Sequence, residues 1–279
     1  IYSATPSGNL KIKPSLTAKL KVVNQENTTS TSNNPVGWWK MDEGTAIHGS
    51  SVADSSGYGN TGTLSTGDGS TNKSVAGKLG KGLSFDGVDD YVSVPYSASL
   101  GNPTSTITMS AWVNVSLVPA SGWGWAPAVG WWKDPDPAWT ETYIGAWVDW
   151  ISANYSVYLS FSDGSNATLY SGVVALRRWD HLLMTYDSST GWVKLYVNGV
   201  MGASQLISGN KTIQISANAP FRLGQIWYKT FKGSIDDVRI YNRALSAGEV
   251  QQQYNSTKDG YLGKIKVSTG LVGYWKLDD

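Results

Sequence analysis

The sequence predicts an all-β fold of the sandwich or jelly-roll type, closed by one short helix. Short segments rich in β-branched and aromatic residues recur along the chain, at 91–94, 107–115, 155–161, 193–197 and 238–241. Clusters of Gly, Asn, Asp and Ser separate these segments, as turns separate strands. Helix signals are nearly absent, so an all-β fold is expected.

Two local signals define individual elements. Asn198-Gly199 follows the segment 193–197 and predicts a β-hairpin, because both central positions of such a turn need positive φ. Ser246 and Glu249, three residues apart, form a capping-box pattern and predict the one short helix near the end of the fold.

Composition excludes several classes of function. The net charge is +1, from 22 Lys+Arg and 21 Asp+Glu, so the sequence lacks the basic excess typical of proteins that bind nucleic acid or anionic membranes. No apolar run approaches the roughly 20 residues of a membrane span, so no membrane insertion is expected. The absence of Cys excludes disulfides. Charged residues make up only 15 %, while Trp (14) and Tyr (15) are abundant, which suits an extracellular protein that meets polymers.

Several features predict a secreted protein, extracellular or at the cell surface. The sequence begins at Ile1 rather than Met, as expected after removal of a leader or for a fragment. N-glycosylation acceptors mark surface loops of secreted proteins. Seven occur, at Asn27, Asn72, Asn114, Asn154, Asn166, Asn210 and Asn255. A chain rich in Ser, Thr and Asn also makes such acceptors by accident.

The two ends of the chain repeat each other. Residues 36–43, Val-Gly-Trp-Trp-Lys-Met-Asp-Glu, match residues 272–279, Val-Gly-Tyr-Trp-Lys-Leu-Asp-Asp. Lys-Ile-Lys precedes each copy, at 11–13 and 264–266. We therefore expect either one repeat of a tandem array plus the start of the next, or a subunit that donates a terminal strand to its neighbour. The predicted parts are a strand and linker segment at 1–35, one domain at 36–255, and a linker with a further or donated strand at 256–279.

A series of motifs follows in order along the predicted domain: 37–44 (GWWKMDEG), 53–62 (ADSSGYGNTG), 83–92 (LSFDGVDDYV), 107–113, 178–186 (RWDHLLMTY), 193–199 (VKLYVNG) and 233–246 (GSIDDVRIYNRALS). With these motifs, residues 36–255 resemble the laminin-G-like, concanavalin A-like jelly rolls in collinear order. The resemblance implies a two-sheet antiparallel jelly-roll β-sandwich with a short terminal helix. Family members act as carbohydrate-binding, adhesion or accessory domains, and fold alone does not fix function.

The resemblance also implies a structural calcium ion between an early loop and the last strand. In this sequence the candidate ligands are Asp54 and Asn60 of the loop and Asp236 of the strand. Asp236 shares a strand face with apolar neighbours, so its carboxylate needs a partner. The alternative is that Asp54 and Asn60 form Asx-turns and that Asp236 accepts other hydrogen bonds. A second acidic group, Asp86, Asp89 and Asp90, is interpreted as a turn rather than a metal site.

Residues 123–150 hold half of the tryptophans and form the candidate ligand surface. Aromatic rings stack on the C–H faces of sugars while carboxylates bind hydroxyl groups. The predicted ligand-binding residues are Trp123, Trp125, Trp139, Asp134, Asp136 and Asp149. Trp131 and Trp147 are expected in the core, and Trp227-Tyr228 is a weaker candidate. The alternative for the cluster is a contact between proteins.

No catalytic residues are predicted, and the chain is not expected to be an enzyme. Retaining glycosidases with a jelly-roll fold need two carboxyl groups about 5–5.5 Å apart. The four glutamates are Glu26, Glu43, Glu141 and Glu249, and none lies two or four residues from another. His48 and His181 belong to no catalytic grouping. Two functions remain. The first is a secreted, calcium-stabilised domain that binds a polysaccharide or glycan or mediates cell-surface adhesion. The second is a structural subunit of an extracellular filament or sheath that binds copies of itself by strand exchange.

Overall fold

The computed structural model describes residues 3–4, 10–11, 34–101, 105–118, 125–131, 144–149, 153–215, 219–226 and 229–260. Side chains at 3–4, 10–11, 125 and 147 are outside this description. The chain divides into two units, residues 1–33 and 34–279. In the first unit, two short strands pair antiparallel, with Ser3 opposite Lys11. The second unit contains the predicted domain.

The elements follow the chain in this order. The strands are β1 Ser3–Ala4, β2 Leu10–Lys11, β3 Gly37–Trp39, β4 Ser51–Val52, β5 Gly62–Ser65, β6 Ser74–Ala76, β7 Lys81–Asp86, β8 Tyr91–Val94, β9 Thr106–Val115, β10 Trp125–Trp131, β11 Ile144–Asp149, β12 Asn154–Ser160, β13 Asn166–Val173, β14 Trp179–Asp187, β15 Trp192–Val197, β16 Val200–Leu206, β17 Phe221–Leu223, β18 Gln225–Ile226, β19 Lys229–Thr230 and β20 Lys232–Tyr241. The helices are α1 Ala98–Gly101 and α2 Ala247–Thr257. No helix in this part of the chain is long and apolar enough to cross a membrane.

Two antiparallel sheets of eight strands each form the body, which confirms the predicted all-β sandwich. Sheet I has the order β13-β12-β11-β10-β17-β8-β5-β4. Sheet II has the order β16-β15-β14-β9-β20-β7-β6, and β3 also pairs with β20. Several neighbours in each sheet are distant in sequence, as when β17 lies between β8 and β10 in sheet I and β20 lies between β9 and β7 in sheet II. This exchange of partners is what a jelly roll requires.

The core lies between the sheets and is built by alternation. Within β10, Val129 and Trp131 are buried in it, so Trp131 is in the core as predicted. Three large rings meet at its centre: Phe221 lies 5.2 Å from Trp39 and 4.6 Å from Trp131, measured between ring centroids. The side chain of Trp147 is outside the described residues. The backbone of Trp147 pairs with Ser156, and its position in β11 alternates with those of the buried Ala146 and Val148.

Both local predictions are confirmed. Asn198 and Gly199 have φ of 53° and 77°, as the tight hairpin between β15 and β16 requires. Ser246 caps α2, its side chain accepting from the Glu249 amide while Glu249 accepts from the Ser246 amide. The helix covers the outer face of sheet II through an apolar cluster. This cluster comprises Leu183, Tyr196, Tyr241, Leu245 and Val250.

Candidate ligand-binding face

The outer face of sheet I carries one row of residues that crosses all eight strands. Directly paired residues on adjacent strands share a face, so the strand register defines the row. From β4 to β13 it comprises Ser51, Thr63, Ser93, Arg222, Gly130, Gly145, Tyr158 and Thr168. Every member is polar or glycine. Ser93, Arg222 and Tyr158 are only half-exposed, which shows that they lie recessed rather than on an open surface.

Two adjacent glycines form a gap in the middle of this row. A Cβ atom on Gly130 would lie 2.4 Å from the carbonyl oxygen of Ile144 and 2.8 Å from Cδ1 of Ile226, so no side chain fits there. Arg222 and Tyr158 flank the gap across three strand spacings, about 14 Å. The β18–β19 hairpin packs against β10 on one side of the gap. Gly145, next to Tyr158, is buried like Gly130, so the exposed members of the row lie on either side of the two glycines.

A second row borders the gap with an exposed ring and a buried hydroxyl. Tyr170 is 50 % exposed and pairs with Ser156, which has no solvent exposure. The Oγ of Ser156 has no hydrogen-bond partner among the described atoms. Burial, followed by the negative charge of Asp149, raises the pKa of Tyr170, so this phenol stays protonated and can donate. An apolar ring face beside hydroxyls and a carboxylate can bind a polyhydroxylated ligand.

Of the six predicted ligand-binding residues, the structure places one. Asp149 lies on the outer face of sheet I, paired with Asn154 and only 8 % exposed. Trp125 begins β10, opposite Asp149, but its side chain is outside the description. Trp123, Asp134, Asp136 and Trp139 lie outside the described residues, as do Trp227 and Tyr228.

Sequence reasoning missed the residues that make up most of this face. Alternation in β12 and β13 separates the buried Tyr155, Val157 and Leu169 from Tyr158 and Tyr170. That signal is present in the sequence. It does not show that Arg222, far along the chain, joins the same row, because that depends on β17 pairing with β8 and β10.

The loop predicted to bind calcium is saturated by protein donors. Asp54 Oδ1 accepts from the amides of Trp38 and Ser56, and Oδ2 accepts from Ser56 Oγ and the Asn60 amide. Asn60 Oδ1 accepts from the hydroxyls of Ser97 and Ser99. A carboxylate offers about four lone-pair sites, and those of Asp54 are filled. Asp54 and Asn60 therefore do not fit calcium coordination in this arrangement: Asp54 forms the alternative Asx-turn through the Ser56 amide, and Asn60 bonds the distant Ser97 and Ser99.

Asp236 is the one candidate calcium ligand with remaining capacity. Its Oδ2 accepts from the Leu79 amide at 2.7 Å, and its buried Oδ1 has no partner among the described atoms. Burial, opposed by that hydrogen bond, raises the pKa of Asp236 to about 8. Calcium binding stays an untested prediction, but one remaining carboxylate oxygen is far fewer than the roughly six to eight oxygen ligands that calcium takes.

We expect the melting temperature of the full chain to be the same in millimolar calcium and in EDTA. Asp236→Asn should raise the melting temperature at pH 8. Folding raises the pKa of Asp236 from 3.8 to about 8, so the folded protein becomes less stable as pH rises through that range. Differential scanning fluorimetry at pH 5 and pH 8 measures both. A calcium-dependent rise that Asp236→Asn removes would instead establish the ion.

The second acidic group is held by a lysine. Lys73 Nζ lies 2.8 Å from Asp90 Oδ2, 2.9 Å from Asp68 Oδ2 and 3.6 Å from Asp86 Oδ2. Asp86, Asp89 and Asp90 have carboxylate oxygens within 4.8 Å of one another. Burial opposes the charge of Lys73, but hydrogen bonds to Asp90 and Asp68 outweigh it and raise its pKa. The ammonium group of Lys73 thus balances part of the charge of Asp86 and Asp90, while Asp89 accepts from the Gly67 amide.

The histidines and the described glutamates have structural contacts. His181 is fully buried between Trp112 and Tyr254, with ring centroids 5.1 and 6.1 Å away, and burial lowers its pKa to about 3. Its imidazole is therefore neutral. His48 Nδ1 accepts from the Thr66 amide, and Glu43 accepts from the Ala53 amide.

The predicted glycosylation acceptors differ in exposure. Asn72, Asn166, Asn210 and Asn255 are exposed, Asn114 and Asn154 are half-buried within strands, and Asn27 lies outside the described residues. Their use stays a prediction, and the exposed four are the accessible ones.

Comparison with solved structures identifies the fold. The binding domain of Paraclostridial Mosquitocidal Protein 1 superposes with a TM-score of 0.61 at 18 % identity, over 81 % of this chain and 53 % of that one. Domain 4 of AbnA, a GH43 extracellular arabinanase from Geobacillus stearothermophilus in complex with arabinotriose, gives 0.58 at 23 % identity, over 78 % and 97 %. The binding domain of botulinum neurotoxin serotype G gives 0.59 at 15 % identity, over 80 % and 51 %. The chain thus spans about half the length of the two toxin domains.

Sequence comparison gives the family. None of the curated proteins compared with the chain matches it. The laminin-G-type sequence model described as the concanavalin A-like lectin/glucanases superfamily matches residues 86–251, more than half of the chain, which confirms the resemblance. The chain belongs to the concanavalin A-like lectin/glucanase superfamily.

Proposed function

We propose that this chain is a non-catalytic carbohydrate-binding domain that acts outside the cell and binds glycan on the outer face of sheet I. The observation that carries the proposal is the row from Ser51 to Thr168, which is polar or glycine at every strand and recessed at its centre. A sheet face that only met solvent would need neither the glycine gap nor recessed polar side chains.

The chemistry of this face suits a sugar at its exposed end. Tyr170 offers an exposed ring for the C–H face of a pyranose or furanose. Ser156 pairs with Tyr170 but has no solvent exposure, so its hydroxyl lies behind the face. Arg222 stacks over Tyr91 of β8 at 5.0 Å, a contact that turns its guanidinium toward the β8 side of the row.

The comparisons support a binding role. The AbnA domain is in complex with arabinotriose, and both toxin structures are binding domains. The superfamily name includes glucanases as well as lectins. Against catalysis, Glu43 and Glu249, the two described glutamates, are engaged in a loop contact and a helix cap.

Tyr170→Ala is expected to weaken glycan binding about tenfold or more, because aromatic anchors dominate such contacts. A glycan array with the full chain identifies the ligand, and isothermal titration with the best oligosaccharide measures the affinities. Arabinotriose, cellotriose and laminaritriose serve as soluble probes. Hydrolysis products are monitored in the same mixtures, and we expect none.

Tyr58→Ala is the matched control, since Tyr58 is 51 % exposed, like Tyr170, but lies in the 54–60 loop. It should leave the affinity unchanged. Equal losses for both variants, or tight binding by a Tyr170→Ala, Arg222→Met double variant, would contradict the proposed face.

A further inference from the structure

The helix α2 is attached to the outer face of sheet II by contacts that are separate from the main core. The apolar cluster beneath α2 is distinct from the cluster between the two sheets. Trp112 Nε1 donates to Thr257 Oγ1 at 3.2 Å, and Gln253 Nε2 donates to Ser110 Oγ at 2.7 Å. None of these four residues belongs to the described core between the sheets. The helix can therefore leave sheet II while the sandwich stays folded.

His181 lies in this interface without a hydrogen-bond partner. Its side chain has no solvent exposure, and neither Nδ1 nor Nε2 has a partner among the described atoms. The imidazole lies 5.1 Å from the ring of Trp112 on β9 and 6.1 Å from the ring of Tyr254 on α2. Tyr254 also stacks on Trp112 at 5.8 Å. Three rings from three elements thus close around one another, and α2 is the one of the three elements that lies outside the sheet.

The cations near His181 oppose a positive charge on its imidazole. After burial, the charge of Arg239 on β20 lowers the pKa of His181 further. The ammonium group of Lys78 lies 4.7 Å over the ring of Trp112, which packs against the imidazole. The α2 residue that contacts the imidazole is Tyr254, which presents a ring rather than a carboxylate.

The nearest described carboxylates are engaged elsewhere. Asp180, the residue before His181, accepts from Tyr155 across the core. Asp236 lies two strands away on β20, beyond β9. Asp237 pairs with Arg239 at 3.0 Å. A protonated imidazole would therefore be a buried cation without a counter-ion, which is a costly state for the closed interface.

We infer that α2 is an acid-released cap, which leaves the outer face of sheet II when His181 takes up a proton and its imidazolium moves into water. The proton binds at Nδ1 or Nε2, both of which lack an acceptor while α2 is closed. Release uncovers the apolar cluster beneath α2. The protein then presents an apolar surface in an acidic medium that is covered at neutral pH. This cap is separate from the proposed glycan face on sheet I.

The direction of the pH effect follows from the burial of His181. Burial lowers its pKa from 6.5 to about 3 in the closed state, whereas an imidazole in water has a pKa of about 6.5. The closed state is therefore fully stable above pH 6.5 and loses stability as pH falls from there toward 3. A hydrogen bond from Arg243 lowers the pKa of Glu249, which caps α2, from 4.5 to about 2. Glu249 thus weakens the helix only below about pH 4.5, so the range from pH 7 to pH 5 isolates His181.

Hydrogen–deuterium exchange of the full chain at pH 7 and pH 5, corrected for intrinsic exchange rates, measures the opening of α2. We expect the opening equilibrium of residues 247–257 to rise about twentyfold from pH 7 to pH 5, the ratio that linkage gives for a pKa of about 3 closed and about 6.5 open. Amides of β12 in sheet I should stay more protected than those of α2 at both pH values, because β12 opens only with the whole sandwich. Equal protection of α2 and β12 at pH 5 would show global unfolding and would overturn the inference.

His181→Phe is the test variant, because phenylalanine keeps a ring against Trp112 and Tyr254 but takes up no proton. Its α2 opening should be the same at pH 7 and pH 5. His48→Gln is the matched control, because the chain has two histidines and His48 is the exposed one. This control should keep the twentyfold rise of the unaltered chain.

An NMR titration of the unaltered chain decides the case if His181→Phe does not fold. The His181 imidazole should give the signals of a neutral ring at pH 5 for as long as α2 stays protected. An imidazolium signal from His181 under a protected α2, or an equal rise of α2 opening in His181→Phe and the unaltered chain, contradicts an acid-released cap.

Discussion

Lys73→Met is expected to lower the free energy of unfolding by about 3–5 kcal/mol, because it leaves the carboxylate of Asp90 buried without its cation. Asp90 is 1 % exposed, and the Lys73 side chain, 7 % exposed, is its ionic partner at 2.8 Å. Burial raises the pKa of Asp90 while Lys73 opposes the rise. Without Lys73, Asp90 should fold protonated.

The loss should therefore grow with pH. A carboxyl whose pKa is raised on folding contributes its full stability only below its pKa in the unfolded state. That contribution is lost as pH rises through its pKa in the folded state. Urea denaturation at pH 5 and pH 8 measures the difference. Asp68→Asn removes the partner at the exposed end of the same cluster and should cost much less than Lys73→Met, because an exposed ion pair contributes little. A cost for Lys73→Met no larger than this control would contradict the buried ion pair.

Asp180→Ala is expected to lower the free energy of unfolding by about 3–5 kcal/mol, because it leaves several hydrogen-bond donors without their acceptor. The Asp180 carboxylate has no solvent exposure and accepts from Tyr155 OH at 2.8 Å, from Asn198 Nδ2 at 2.7 Å and from the Arg178 guanidinium. Tyr155 belongs to sheet I and Asp180 to sheet II. The bond is therefore a polar link across the core between the two sheets.

Tyr155→Phe isolates one bond of this network and should cost about 1–2 kcal/mol. The double variant should be less destabilised than the sum of the two single variants, because both remove the same contact. Urea denaturation of all three variants measures the coupling. Additive effects would show that the link between the sheets contributes nothing.

Much of the fold could be predicted from residues whose local pattern decides their structure. The hairpin at Asn198-Gly199 needs positive φ at both positions, and the α2 cap needs only Ser246 and Glu249. These signals are contained within a few neighbouring residues. The collinear motifs then supplied the sandwich, which the family match confirms.

The candidate site was less accessible to such reasoning, because long-range pairing builds it. Arg222 and Tyr158 join one row only because β17 and β12 flank β10 and β11. Sequence reasoning weighted aromatic density at 123–150, and most of that segment lies outside the described residues. The resemblance implied calcium at Asp54, with an Asx-turn as the alternative, and the 54–60 turn uses the lone pairs of Asp54 for backbone and hydroxyl donors.

The most direct test of the central claim is a crystal structure of the full chain with the best oligosaccharide from the array. We predict that the sugar lies on the outer face of sheet I, with a ring against Tyr170 and hydroxyl groups near Tyr158. A sugar bound to the outer face of sheet II, or to the 54–60 loop, would contradict the account.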